Sequence, residues 1–379
     1  MICILGTKIS SRLIYDYLSA EDKKPVSLVS FSGLNQAKTG SFDSDLSAYP
    51  VVSMEEAVLK GIEHIFIPTH GINLVKRARN ILKETYGFDD DSCTVISPKA
   101  FAHELESCKS INGILDRLRE HILYINSIEF EVAQHCNLNC KGCNHFSPLS
   151  EKRFGNLSEF ERDLRKLHEY VDHIGEIRLV GGEPLLNPQL DKFVRLAHEI
   201  YPYESLTVIT NGILLSSVDS NLIEAMKDTG AYFSLTLYPP VKNFALNAAE
   251  AIKKQGVRVE TFSEVTQFSS QLNLEGDSDA KLSERPCFTS ECHFLENGKI
   301  NKCTISGKCS VYEKHYHLDG LFPDCFINLF DDKLSAGRLY SYLMNPIAMC
   351  AYCGRWKLYD WEQAGNNPDM NDWIGAGKY

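Results

Sequence analysis

Three cysteines directly after a predicted buried strand constrain this chain more than any other feature. The segment Ser127–Leu149 reads SIEFEVAQHCNLNCKGCNHFSPL, in which a β-branched and aromatic run precedes Cys136, Cys140 and Cys143 in the spacing C-x3-C-x2-C. Three thiols this close in sequence cannot all pair as disulfides, and such short spacings are typical of metal ligands. Soft thiolates suit zinc or an iron–sulfur cluster. A structural zinc site needs four ligands, but the local count stops at three, since His145 is too close in sequence to Cys143 to complete a tetrahedron comfortably.

Two further motifs follow at the ends of the next two predicted strands. The first is LVGGEPLLNP at 179–188, and the second is VITNG at 208–212. The three motifs, taken in order, resemble those of radical S-adenosylmethionine (SAM) enzymes. The resemblance implies that the three cysteines hold a catalytic 4Fe–4S cluster with one iron left open for SAM. It also implies a set of SAM-binding residues: Phe146, Gly181, Gly182, Glu183, Pro184, Thr210 and Asn211.

The chain departs from the family pattern at one position beside the cluster motif. Many members carry an aromatic residue just before the third cysteine, whereas this chain has Gly142. An aromatic residue follows instead at Phe146, so we expect Phe146 to pack against the adenine of SAM.

Charge and cysteine usage limit the classes of protein to which the chain can belong. Its 379 residues carry a formal net charge of −11, which argues against a nucleic-acid-binding surface. No apolar run approaches the length of a membrane span, and the N-terminus lacks the layout of a signal peptide. Thirteen cysteines without a secretion signal indicate a reducing cytoplasm, where thiols serve metals rather than disulfides.

The order of predicted elements indicates an α/β protein with three parts. Strands alternate with helices over 1–100, which predicts a Rossmann-like parallel sheet. Residues 101–126 have apolar positions at helical spacing and are predicted to be a helical linker. Residues 127–265 repeat strand and helix and predict a partial (β/α)6 TIM-like barrel, with chemistry at the carboxyl ends of its strands. Residues 266–379 are predicted to form a small cysteine-rich domain, with a polar loop over 266–286 and a tryptophan-containing tail that covers either the barrel or the cysteines of this domain.

The N-terminal domain has no motif that assigns it a ligand. Its first turn reads GTKISS, with one glycine and no G-x-G-x-x-G, so a dinucleotide site is poorly supported. The domain resembles the N-terminal lobes of some sugar-modifying acyltransferases, which hold nucleotide sugars at this sheet edge. A structural or oligomerisation role is an equal alternative.

A second group of cysteines lies near the C-terminus. A predicted hairpin region carries Cys287 and Cys303, and a C-x2-C pair follows at Cys350 and Cys353. This group resembles the short "twitch" form of the auxiliary-cluster domain of radical SAM enzymes, related to the longer SPASM form. The resemblance implies that these four thiolates saturate a second 4Fe–4S cluster, with Cys292 as an alternate ligand for Cys287. A structural zinc on the same four ligands is the alternative.

The resemblance implies a radical reaction on a small molecule. SAM would be cleaved reductively to a 5′-deoxyadenosyl radical, which abstracts hydrogen from a carbohydrate-like or nucleotide-sugar substrate. The auxiliary cluster would then accept an electron, so that an alcohol is oxidised. Flavodoxin or ferredoxin is the expected electron donor, and no nucleic acid or membrane partner is expected.

Four residues are candidates for the remaining chemistry. Tyr238 and Arg285 are candidate bases for a substrate hydroxyl, and Cys309 or Cys292 is a candidate hydrogen donor. A cysteine donor would make the enzyme an epimerase instead of a dehydrogenase. Modification of a peptide is a third alternative, although the β/α pattern at the N-terminus does not resemble a leader-peptide domain.

Overall fold

A computed structural model of the chain describes residues 1–5, 14–15, 26–29, 49, 51–68, 72–89, 92–96, 107–108, 111–117, 121–202, 205–261 and 264–379. The chain divides into two compact units. The first comprises 1–126, 170–175 and 335–341, and the second comprises 127–169, 176–334 and 342–379.

The first unit contains the predicted parallel sheet. Its strands are β1 (Ile2–Leu5), β2 (Val26–Val29), β3 (Val51–Val52), β4 (His64–Ile67) and β5 (Cys93–Val95). They lie in the order β3-β2-β1-β4-β5 and every pair is parallel. A Rossmann-like sheet has the strand order 3-2-1-4-5-6, and the five strands here follow that order up to the fifth strand. The predicted Rossmann-like parallel sheet is therefore confirmed.

Three described helices accompany this sheet: α1 (Met54–Leu59), α2 (Ile72–Tyr86) and α3 (Ile111–Arg117). Helix α1 begins where the Ser53 side chain accepts a hydrogen bond from the Glu56 amide at 3.1 Å. The turn GTKISS and most of the helix predicted over SRLIYDYLS lie outside the described residues.

The second unit is built on a partial barrel. Strands β6 (Ile122–Ala133), β7 (Val171–Gly181), β8 (Ser205–Thr210), β9 (Tyr232–Leu235) and β10 (Val259–Thr261) lie side by side in chain order. Strand β12 (Cys292–Glu296) adds in parallel to the free side of β6 and makes a sixth barrel strand. Strands β13 (Lys299–Asn301) and β14 (Ile327–Asn328) extend that edge in antiparallel fashion.

Helices connect the parallel strands, as the alternating pattern predicts. They are α4 (Leu157–His168), α5 (Leu190–Ile200), α6 (Ser220–Thr229) and α7 (Lys242–Lys254). Helix α4 begins at Asn156, whose side chain accepts from two backbone amides, and α6 ends at Gly230 in the left-handed conformation. Each helix carries a buried apolar stripe that faces the strands.

Two predictions about connecting segments need correction. The linker predicted to be helical over 101–126 is helical at 107–108 and at Ile111–Arg117, but β6 already begins at Ile122. The four residues Ile122–Ile125 are all buried, so tertiary packing of a β-branched run prevailed over the helical spacing. The polar segment 266–286 is not a loop: it forms β11 (Gln267–Leu272), which pairs antiparallel with β15 (Cys353–Asp360), and α8 (Ala280–Glu284).

The remaining helices are α9 (Thr304–Tyr316) and α10 (Ala336–Met344). The C-terminal segment packs by its aromatic residues: Trp373 joins Phe146 and Tyr312 in a buried apolar cluster. None of the described helices is both long and apolar enough to cross a membrane.

Candidate active site

The three cysteines of the first motif surround one cavity at the carboxyl end of β6. Cys136, Cys140 and Cys143 all line it, and all are free thiols. The cavity has about 660 Å³ of empty space, part of which opens to solvent. This is within the size range of small-molecule and cofactor sites.

The thiol environment fits a group that carries positive charge. Burial raises the pKa of Cys136 to about 11, and burial likewise raises the pKa of Cys143 and Cys140, with neighbouring thiols and carboxylates adding to the effect. Three adjacent thiolates at neutral pH therefore need a bound cation to stabilise them. Among the described residues, no three His, Cys, Asp or Glu side chains lie close enough together to hold a single metal ion. The cysteines of the two motifs line two larger cavities.

The GGEP and TNG segments lie on the same cavity as the thiols. Gly181, Gly182, Thr210 and Asn211 line it, as the resemblance implies. Gly182 leaves no room for a side chain, because an added Cβ would lie 2.2 Å from the carbonyl oxygen of His135. Its amide donates to the Ala133 carbonyl at 2.7 Å, so this glycine lets β7 approach the cysteine loop closely.

Glu183 joins the three motifs from behind the cavity. Its buried carboxylate accepts hydrogen bonds from Thr210 Oγ1 at 2.7 Å and from the backbone amides of Asn211 at 3.0 Å and Leu185 at 3.1 Å. Burial raises the pKa of Glu183 to about 7, against these three donors, which lower it. Asn211 in turn donates to Asn137 Oδ1 at 2.8 Å, beside Cys136. Glu183 thus orients the residues that face the cavity.

Two predicted SAM-binding residues lie elsewhere than expected. Phe146 is fully buried against Tyr312 and Trp373, with ring centroids 5.8 and 6.0 Å away, and it does not line the cavity. Its backbone is left-handed (φ 52°), which turns the side chain into the C-terminal core. The prediction that Phe146 packs against adenine is therefore corrected. Pro184 is buried behind the cavity and begins a short 3-10 turn.

The second group of cysteines surrounds a separate cavity. Cys287, Cys303, Cys350 and Cys353 line a space of about 430 Å³ of empty volume. Burial, together with the neighbouring thiols, raises the pKa of Cys303 to about 12. The buried ammonium of Lys302 lies on the same cavity and lowers the pKa of Cys350, which burial otherwise raises.

Strand register separates Cys292 from this group. Strand β12 pairs with β6 so that Cys292 lies opposite Ser127, on the barrel wall. Its Sγ accepts from Arg178 Nη1 at 3.1 Å, and the residue does not line the second cavity. Cys287 precedes the strand in a turn and reaches the cavity that Cys292 does not. The structure thus favours Cys287 over the alternate Cys292.

The candidate catalytic residues are dispersed. Tyr238 lines the first cavity, but burial, followed by the thiols of the cysteine motif, raises its pKa well above the ordinary value, which favours a hydrogen-bond donor over a base. Arg285 is exposed at the end of α8 and lines neither cysteine cavity. Cys309 is buried in the apolar C-terminal cluster, where burial raises its pKa to about 12, and it lines neither cavity. The structure therefore corrects the assignments of Arg285 and Cys309 to the reacting centre.

The sequence analysis missed a polar cluster inside the barrel. Glu129 and Glu131 alternate along β6 and are both more than nine-tenths buried. Glu129 lines the first cavity and accepts from Arg178 at 3.4 Å, and Glu131 pairs with the buried Lys308. Oε1 of Glu131 and Nδ1 of His145 lie 3.8 Å apart, each without a hydrogen-bond partner in the described part of the chain. Two carboxylates at i and i+2 between the apolar residues of the run IEFEVA were the signal that identifies this face.

Comparison with known proteins agrees with this geometry. Residues 130–240 match the radical SAM superfamily, a range that includes all three motifs. Proteins of this superfamily use a 4Fe–4S cluster and SAM, and the thiols and the glycine-lined wall of the first cavity are suited to hold both groups.

Relatives and solved structures resemble parts of the chain. The GTP 3',8-cyclase of Nautilia profundicola is 33% identical over 113 residues, which cover 30% of this chain and 35% of the relative. That of Sulfurimonas denitrificans is 33% identical over 102 residues, 27% of this chain and 32% of the relative. The chain thus matches about a third of the length of these curated relatives. The structure of BtrN in complex with AdoMet and 2-DOIA covers 66% of this chain and 98% of its own, at 19% identity and a TM-score of 0.39. Streptococcus suis SuiB bound to S-adenosylmethionine covers 42% of this chain and 44% of its own, at 16% identity and a TM-score of 0.31.

Proposed function

We propose that the chain is a two-cluster radical SAM enzyme that oxidises an alcohol of a small polyhydroxylated substrate. The observation that carries this proposal is the second thiol-lined cavity. Cys287, Cys303, Cys350 and Cys353 come from three separate segments and converge on one space, apart from the cavity of the radical SAM motifs. Four thiols saturate a 4Fe–4S cluster, and such a cluster suits electron transfer.

The protein's residues would hold two groups and supply one proton acceptor. The catalytic cluster with SAM supplies a radical that takes a hydrogen atom from carbon, and the auxiliary cluster supplies an acceptor for one electron. Oxidation of a CH–OH group to a ketone removes one hydrogen atom, one electron and one proton. Glu129 is the one carboxylate among the described residues that line the cavity, so we assign the proton to Glu129.

The barrel interior supports a hydroxylated substrate. Glu129 also accepts from the Thr304 hydroxyl, and Arg178 is held between Glu129 and Glu176, with its Nε 2.5 Å from the latter. Of these groups Glu129 lines the cavity, and its carboxylate favours a substrate that carries hydroxyl donors over an apolar one.

The first unit supports the nucleotide-sugar version of the proposal more weakly. In sheets of its order, ligands bind beyond the carboxyl ends of β1 and β4, where the strand order reverses. The residues that follow those ends, 6–13 and 69–71, are outside the described part of the chain. A flavodoxin or ferredoxin electron donor and a cytoplasmic location complete the proposal.

Epimerisation is the second candidate, and the position of Cys292 favours it. Its thiol lies on the barrel wall beside Arg178 and near Glu129, which itself lines the catalytic cavity. Burial raises the pKa of Cys292 to about 12, so the sulfur keeps its hydrogen at neutral pH. Cys292 itself does not line the catalytic cavity, so its S–H group would have to reach past Glu129 to return a hydrogen atom to the substrate radical. The resulting thiyl radical would be restored to the thiol by one electron from the external electron donor and one proton.

The test is the iron, sulfide and zinc content of the anaerobically reconstituted protein, with single cysteine variants. We expect about eight irons per chain, falling to about four in the triple variant Cys136→Ala, Cys140→Ala, Cys143→Ala. Cys287→Ser should lose iron from the second site, whereas Cys292→Ser should keep it. Cys325→Ser is the matched control, because Cys325 is a partly buried thiol that lines neither cavity.

Three outcomes would contradict parts of the proposal. About four irons that disappear in the triple variant, with zinc in the second site, would remove the electron acceptor and move epimerisation ahead. Loss of iron in Cys292→Ser but not in Cys287→Ser would reverse the ligand assignment. Absence of iron in the wild type, or of 5′-deoxyadenosine after SAM and dithionite are added, would refute the radical SAM activity.

A further inference from the structure

A lysine side chain is buried beside the second group of cysteines. Lys302 is only 2% exposed, and it lines the second cavity together with Cys287, Cys303, Cys350 and Cys353. It is also the residue directly before Cys303. Lysine is rarely buried to this extent unless its charge is paired, so the surrounding residues must stabilise an ammonium group at this position.

Two acceptors hold the ammonium group of Lys302 in place. Its Nζ donates to the Leu343 carbonyl oxygen at 2.8 Å and lies 3.6 Å from Glu284 Oε1. Glu284 is the last residue of α8, and it also lines the second cavity. A carbonyl oxygen and a carboxylate are the acceptors that a charged ammonium group requires, so Lys302 brings a positive charge to the wall of this cavity.

The backbone of Lys302 is anchored as well. Its amide donates to the Tyr342 hydroxyl at 3.2 Å, and its carbonyl accepts from His293 Nδ1 at 3.0 Å. The residue lies between the end of β13 and the beginning of α9. Because backbone and side chain are both held, the ammonium group keeps its position beside the four thiols.

The negative charge of the second site gives this cation a function. Four thiolates leave a bound 4Fe–4S cluster with a net negative charge, and reduction adds one more negative charge. Opposite charges attract more strongly in a buried site than in water, because the protein interior has a lower effective dielectric constant. A fixed ammonium group therefore stabilises the reduced cluster more than the oxidised one, and the Glu284 carboxylate opposes this effect.

We propose that Lys302 raises the reduction potential of the second cluster and so makes that cluster able to accept the electron that leaves the substrate. This inference rests on the proposed function, which assigns a 4Fe–4S cluster to these four thiols. Net charge and solvent exposure are among the properties that set the potential of an iron–sulfur cluster. Lys302 is a positioning residue, since it acts on the reaction only through the charge that it holds beside the cluster.

The test is a redox titration of the full-length reconstituted enzyme, followed by electron paramagnetic resonance. The signal of the second cluster is the one that does not change when SAM is added. We expect Lys302→Met to lower the equilibrium constant for reduction of this cluster about tenfold, a shift of about 59 mV to more negative potential for one electron. Lys302→Arg keeps the positive charge and should stay within about threefold of wild type.

Glu284→Gln tests the same inference in the opposite direction. It removes the carboxylate charge that opposes Lys302 and keeps the size of the side chain. The equilibrium constant for reduction should rise about threefold, because the Glu284 side chain is partly exposed and its charge is partly screened. This variant keeps the buried lysine, so it decides the question if Lys302→Met does not fold.

Lys299→Met is the matched control, because it removes the same charge from an exposed position of β13 that does not line the second cavity. Water screens this charge, so the equilibrium constant should change less than about twofold. A shift in Lys302→Met no larger than that in Lys299→Met would overturn the inference, and so would an unchanged potential in Glu284→Gln if Lys302→Met does not fold. In both cases the second signal itself would uphold the proposed function. A wild-type enzyme without a SAM-insensitive signal would overturn both.

Discussion

Gly142→Ala is the sharpest perturbation that the structure offers. It places one methyl group between the cysteine loop and the C-terminal segment Tyr359–Ile374, called the strap, whose backbone pairs with that loop. The new Cβ would lie 2.0 Å from the Tyr359 hydroxyl oxygen and 2.8 Å from Ser270 Oγ and from the Asp372 carbonyl oxygen. Contacts this short cannot persist, so Tyr359 must move. Its hydroxyl would then lose its bonds to the Lys141 carbonyl at 3.0 Å and to Ser270 at 3.1 Å.

The expected loss of stability follows from two separate contributions. A non-glycine residue in the left-handed region costs about 1–2 kcal/mol. Displacing a packed side chain and its two hydrogen bonds adds about 1–3 kcal/mol. The free energy of unfolding of the second unit should therefore fall by about 2–5 kcal/mol.

Gly230→Ala is the matched control. Gly230 also has a positive φ, +69°, but an added Cβ there meets no atom within 4 Å. It should lose only the backbone strain, about 1–2 kcal/mol. Urea unfolding followed by tryptophan fluorescence measures both variants, since all three tryptophans lie at 356–373. If Gly142→Ala loses no more stability than Gly230→Ala, the strap does not press on the loop and the reasoning is refuted.

Three further predictions concern buried polar groups. Glu183→Gln should weaken SAM binding about 5- to 100-fold at unchanged iron content, because an amide NH2 would face a backbone N–H. Equilibrium dialysis with labelled SAM measures the affinity of the variant. An affinity equal to that of wild type would contradict the prediction. Lys308→Met should lower the free energy of unfolding by about 3–5 kcal/mol in urea, since it leaves the Glu131 carboxylate buried without a counter-charge. Adding Glu131→Leu should restore most of the loss. Additive losses in the double variant would contradict the pairing. Burial lowers the pKa of His64 to about 4, so the unfolded chain takes up a proton before the folded one as the pH falls. The free energy of unfolding of the first unit should therefore drop by about 3 kcal/mol between pH 6.5 and pH 4. Thermal unfolding of His64→Leu should lack this part of the pH dependence of wild type.

Features that depend on neighbouring residues in the chain could be predicted from the sequence. The cysteine, GGEP and TNG motifs each follow a strand, and parallel strands bring their carboxyl ends to one edge, so their convergence follows from order alone. Periodicity likewise predicted β1, β2, β4 and β5 of the first unit and the strands β6 to β10 with their connecting helices, because apolar spacing records which face of an element is buried. The C-x2-C pair and its partners Cys287 and Cys303 were predicted from spacing and resemblance, and the structure places all four on one cavity.

Tertiary structure decided which way individual side chains face, since that depends on strands and segments far apart in the chain. The register of β12 against β6 turns Cys292 to the barrel wall, five residues beyond Cys287. A left-handed backbone at Phe146 sends its ring into a core formed with Trp373, over two hundred residues later. The strap lies on the cysteine loop only because Gly142 leaves room for it. The spacing of residues along the chain reports local periodicity and carries no information about such long-range contacts. The sequence therefore determined which residues gather at the strand ends. Only packing determined which of them face the cavity.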